Sequence, residues 1–104
     1  MRRVAMRRPG ALLSADHDRW HYVKPVNADA LSKQYDRFVE LVEATGTEIV
    51  WFPETDDDLA DSVFTYDPSF VVPGGAVVLR PGKPLRAGEA DLHAAFYAAE
   101  GIPE

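Results

Sequence analysis

A helix that runs straight into an apolar strand is the feature that most narrows the fold. In "DALSKQYDRFVELVEATG", Leu31, Tyr35, Phe38, Val39 and Val42 recur at helical spacing, while Lys33, Asp36, Arg37, Glu40 and Glu43 occupy the other face. Asn27 or Asp29 can cap the start, because a short polar side chain accepts from an orphan amide of the first turn. Gly46 can end the helix in a left-handed turn. "TEIVWFPE" follows without a linker and is nearly continuously apolar up to Pro53, the pattern of a strand buried on both faces. A helix handing over to such a strand predicts an α/β fold.

The flanking segments fit that class. Val4 and Met6 share one face of residues 2–8 before Pro9-Gly10 stops the run, which predicts a short strand with Arg2, Arg3, Arg7 and Arg8 on its solvent side. "LSADHDRWHYVKP" has no period and reads as a long loop, with residues 14–24 expected to be mobile. "SVFTY", "SFVV" and "AVVLR" are strand-like, the last two joined through Pro73-Gly74-Gly75 as a hairpin. Pro81, Gly82 and Pro84 make a rigid exit. "GEADLHAAFYAAEG" places Leu92, Ala95, Phe96 and Ala99 on one helical face, with Gly101 and Pro103 ending it. A crossover helix normally delivers the chain to a further strand, and none follows this one. Residues 1–104 therefore read as a single partial domain that stops mid-module.

Charge and composition exclude several functions. The formal charge of -6 and the scattered basic residues make nucleic acid a poor partner. With no cysteine, disulfides, thiolate nucleophiles and zinc-thiolate sites are ruled out for these residues. No apolar run approaches the ~20 residues of a membrane span, and "MRRVAMRRPG" lacks the apolar core of a secretory signal, so a soluble cytoplasmic protein without membrane contacts is expected.

The remaining chemistry lies in a few charged side chains. In "DSVFTYDP", Asp61 and Asp67 are ordinary turn formers on one reading. On the other, strand alternation sets residues 61, 63, 65 and 67 on one side, and two neighbouring carboxylates there suit a planar guanidinium. Arg80, before Pro81-Gly82, is either a surface residue or a bidentate carboxylate binder. Asp56, Asp57 and Asp58 lack the glycine and distal glutamate of a calcium loop. His17 and His21, with Asp16 and Asp18 beside them, have metal-ligand spacing but no evident third ligand, and His93 reads as packed or at the surface. No metal or cofactor is expected.

The ordered set Asp61-Val63-Phe64, Asp67-Pro68, Arg80-Pro81-Gly82 and Gly88-Glu89, preceded by "HYVKP" and a helix, resembles the N-terminal module of the guanidino-group-modifying enzymes, the pentein superfamily. These are the dimethylarginine dimethylaminohydrolases, arginine deiminases and amidinotransferases, and the resemblance implies a module of a pseudo-fivefold α/β propeller. It also implies that Asp67 binds a substrate guanidinium, Asp61 contacts the amino-acid end, Arg80 pairs with the substrate carboxylate, and the loop at 14–24 covers the site. Tyr66 stands where the dimethylarginine hydrolases carry Glu and the deiminases Arg, so the guanidino substrate is not specified. The family's covalent thiouronium step needs a cysteine, which is absent, and no histidine here matches the family's. The implied role is the substrate-recognising part of a citrulline-forming hydrolase, inactive alone. The implied partners are an arginine-like small molecule and either a complementary chain bearing Cys and His or further copies of this chain. A noncatalytic, self-assembling binding module of the same fold is the alternative.

Overall fold

The computed structural model describes residues 2–55 and 57–104. Its elements run in the order β1 (Arg3–Met6), a 3-10 turn at Ala11–Ser14, α1 (Ala28–Ala44), β2 (Glu48–Trp51), a 3-10 turn at Ala60–Val63, β3 (Ser69–Val72), β4 (Gly75–Val78), a 3-10 turn at Pro84–Arg86 and α2 (Gly88–Ala99). They form two compact units, Met1–Val63 and Phe64–Glu104.

The first unit is a β1-α1-β2 crossover with β1 parallel to β2 in the register Val4↔Ile49 and Met6↔Trp51. Asn27 caps α1 by accepting from the Ala30 amide at 3.0 Å, and Gly46 leaves it with φ +82°. α1 lies against β2 and the 3-10 turn at 11–14. The buried apolar set is Met6, Leu12, Trp20, Val39, Phe52 and Ala60. Phe38, expected on the packed face, is 52% exposed, one position off the Tyr35-Val39-Val42 row, and touches Tyr35 edge-on. In β2 Glu48 is exposed and Ile49, Val50 and Trp51 are only partly buried, so the strand is not fully covered on both faces.

The second unit is a β3-β4 hairpin backed by α2. The ladder sets Phe70 opposite Val77 and Val71 opposite Ala76. Ala76 is buried, whereas Phe70, Val72, Val77 and Leu79, which alternate onto the opposite face, are each about two-fifths to one-half exposed. Ser69, His93 and Tyr97 tie the hairpin to the helix, with the serine hydroxyl 2.6 Å from both His93 Nδ1 and the tyrosine oxygen. His93 is fully buried, which gives it a packing role, and α2 turns Glu89, His93, Phe96 and Tyr97 inward in place of Leu92, Ala95 and Ala99. The Ala76 amide donates to the Pro103 carbonyl at 2.8 Å, and a Cβ on Gly75 (φ +151°) would stand 2.3 Å from that oxygen. Only glycine lets the C-terminal segment lie this close to β4.

One expected strand is absent. Residues 60–63 form a 3-10 turn, residue 64 is irregular, and residues 65–68 are turn and bend. Asp61 and Ser62 are neighbours and both are buried, whereas an extended chain would send their side chains to opposite faces. The turn lets both polar groups meet partners inside the unit, and the alternation argument for residues 61 to 67 does not apply.

Candidate functional site

Arg86 sits in the 3-10 turn before α2 and is 8% exposed. Its Nε and Nη2 donate to Glu89 Oε2 and Oε1, both at 2.8 Å, a paired contact that matches the planar fork of a guanidinium to a carboxylate. Nη1 donates to Asp67 Oδ2 at 2.7 Å, and Nη2 also reaches the Phe64 carbonyl at 3.2 Å. Glu89 is fully buried in the first turn of α2, where the helix dipole favours an anion. The hydrogen bonding of Arg86 to Glu89 is the largest influence on it and, together with Asp67, outweighs burial and raises its pKa. The Asp67 side chain stays 40% exposed. The carboxylate is thus anchored through one oxygen and retains acceptor capacity toward solvent.

The other expected site residues distribute as follows. Tyr66, next to Asp67, is 77% exposed. β4 ends at Val78, so Arg80 lies outside the strand and is exposed. Asp61, in the first unit, is 6% exposed and accepts a hydrogen bond from the hydroxyl of Tyr22. Tyr22 belongs to the loop expected over the site. That segment carries a 2%-exposed Trp20 and His21 at φ +61°, and its Val23 is fully exposed.

A second buried guanidinium corrects the reading of the N-terminal arginines. β1 ends at Met6, and Arg7, placed on the solvent side by alternation, is 4% exposed. It donates to the Pro53 carbonyl at 3.3 Å, Ser62 Oγ at 2.6 Å, Thr55 Oγ1 at 2.7 Å and Asp57 Oδ2 at 2.7 Å. Burial pushes the Asp57 carboxyl up, but hydrogen bonds from Arg7, Thr55 and the Leu59 amide together pull it below its usual range. The Tyr35 hydroxyl donates to the Arg7 carbonyl at 2.7 Å, and burial raises its pKa to about 12 against the opposing pull of Arg8. These groups border a cavity of about 390 Å³.

The acidic run at 56–58 is partly accounted for by ion pairing. Asp57 pairs with Arg7 and Asp58 with Arg19, while Asp56 lies outside the described residues. Asp16, His17 and Asp18 bring ligand-type atoms within 4.8 Å of one another, without His21. Asp16 Oδ1 accepts from the Asp18 amide, as in an ordinary turn.

Arg86, Glu89 and Arg7 were not singled out as site residues from the sequence. Glu89 and Arg86 stand three apart at the start of an amphipathic helix, a spacing that brings charged side chains together. That spacing was the available signal.

No protein-family profile matches the chain, and no curated protein matches it. A solved structure does: the crystal structure of a dimethylarginine dimethylaminohydrolase adduct with 4-chloro-2-hydroxymethylpyridine, at TM-score 0.77 and 20% identity, covering 98% of this chain and 38% of that one. The chain therefore has the α/β fold of a part of that hydrolase and spans under half its length. No described helix is long and apolar enough to cross a membrane.

Proposed function

We propose that this chain is the substrate-recognising, N-terminal part of a guanidino-modifying, citrulline-forming hydrolase of the pentein superfamily. The observation that carries the reading is the fold likeness to a dimethylarginine dimethylaminohydrolase over 98% of the chain. Asp67 is the proposed guanidinium acceptor, a half-exposed carboxylate whose orientation is held from behind. Tyr66 and Arg80, exposed in the same unit, are the proposed neighbouring contacts, with Arg80 assigned to the substrate carboxylate. Asp61 carries the corresponding proposal in the first unit, where Tyr22 covers it, so the segment at 14–24 controls access to that carboxylate.

The chemistry of the reaction is outside these residues. Attack on a guanidinium carbon through a covalent intermediate needs an activated thiolate, and the 104 residues include no cysteine. The nucleophile must be supplied by other residues, on this chain or on a partner chain, and the chain as given is expected to release no citrulline. Titration with L-arginine and with Nω,Nω-dimethyl-L-arginine, followed by amide NMR, tests the recognition role. Saturable shifts at residues 64–70, abolished by Asp67→Asn with the thermal midpoint unchanged, are expected. No shift up to about 10 mM ligand would defeat the proposal.

A second reading rests on the hairpin's outer face. Phe70, Val72, Val77 and Leu79 form an apolar row within an uncharged stretch from Pro68 to Leu79, and such rows mark contact surfaces. A noncatalytic module that assembles through this row would sediment as an oligomer that Phe70→Lys dissociates, and would bind no guanidinium.

A further inference from the structure

We infer that Arg86, locked by Glu89, is the positioning residue that turns Asp67 into a directed guanidinium acceptor; the inference rests on the recognition role proposed above. A surface aspartate ordinarily samples several rotamers, and ordering it on binding costs affinity. Here one carboxylate oxygen is held at 2.7 Å by a guanidinium that is itself fixed at two points by a fully buried carboxylate. The order Glu89, Arg86, Asp67 runs from fully buried to 40% exposed, so the rigid end is inside and the free oxygen is at the surface. With Oδ2 engaged, Asp67 presents chiefly Oδ1 to a ligand. The site thereby favours a cation approaching through one N–H edge over one demanding both oxygens as a symmetrical fork.

The charge count supports the assignment. Arg86 alone opposite Asp67 would neutralise it and repel a second guanidinium. Glu89 supplies the extra negative charge, so the Glu89-Arg86-Asp67 triad carries net -1 and still attracts a cation.

The test separates positioning from folding. Replacing both buried partners, Arg86→Met with Glu89→Met, removes together the guanidinium and the buried carboxylate that locks it, a change that buried ion pairs often tolerate. Methylguanidinium and L-arginine are the probes, read by NMR titration, with thermal midpoints and the Asp67 carboxyl carbon resonance recorded for each variant. The double variant is expected to melt near the wild type, to show an Asp67 resonance averaged over rotamers, and to bind both probes about tenfold more weakly. Arg86→Lys, which can meet one carboxylate but not fork between two, is expected to fall on the same side. Wild-type binding that Asp67→Asn abolishes but the double variant retains at full strength would overturn the positioning role while leaving the recognition role intact. Absence of any probe binding to the wild type would overturn both.

Discussion

The two units each bury one arginine and use it in opposite ways. Arg7 ties together segments 46 to 55 residues apart and spends its donors on two hydroxyls, a carbonyl and a single carboxylate. Arg86 meets Glu89 three residues on and Asp67 nineteen residues back, and it ends on a carboxylate that is open to solvent. Closing long loops makes Arg7 a structural tie, because its loss frees distant chain. Arg86 is short-range and double-anchored, and the carboxylate it holds is 40% exposed. The two buried arginines also differ in the exposure of the carboxylate side chain that each holds, 26% for Asp57 and 40% for Asp67.

The sharpest way to break this contrast is to remove each guanidinium. Arg7→Ala strands Asp57, Ser62 and the Pro53 carbonyl, and is expected to destabilise the first unit by about 3–5 kcal/mol, measured by denaturant unfolding. The paired Arg86→Met and Glu89→Met change is expected to move stability by no more than about 1 kcal/mol. Equal losses from the two would erase the distinction. Next in size, Gly75→Ala drives a methyl into the Pro103 carbonyl and is expected to cost about 1–3 kcal/mol in the second unit. Release of residues 102–104, seen as faster amide exchange at Ala76, would accompany it.

The smallest effect is a pH dependence of the first unit. The folded pKa of Tyr35 is raised to about 12, above its value near 10 when unfolded, so the unfolded chain ionises first. Its contribution is complete below pH 10 and is lost as pH rises through 12. At the acid end, Asp57 is depressed, so its contribution is present above the unfolded carboxyl range near 3.9 and disappears as pH falls below it. Absorbance titration near 295 nm, comparing wild type with Tyr35→Phe, checks the alkaline arm.

The regular elements were legible in the sequence, since they rest on local signals. Period, cap and glycine stop predicted α1 to within a residue or two, and the hairpin followed from its Pro-Gly turn between β-branched runs. The failures share a cause. The expected strand at 62–66 does not form because residues 60–63 fold as a 3-10 turn, in which the side chains of Asp61 and Ser62 bond to Tyr22 and Arg7, partners far away in the chain. Arg7 itself looked like a strand's wet edge for the same reason. Asp67 was singled out for a guanidinium, and the chain places its own guanidinium there. The ion pair with Arg86, itself held by Glu89, was not legible from the carboxylate.

The placement of the tryptophans has a practical consequence. Trp20, buried in the loop before α1, and Trp51, with the Arg8 guanidinium 4.4 Å over its ring, both belong to Met1–Val63, and the chain has no other tryptophan. Indole fluorescence therefore watches one half of the molecule while the tyrosines at 66 and 97 are the aromatic hydroxyl chromophores of the other. A melt followed at 295 nm excitation and again by far-ultraviolet dichroism carries its own internal control: coincident curves mean that the halves unfold together, and a lag between them measures how independently each one stands.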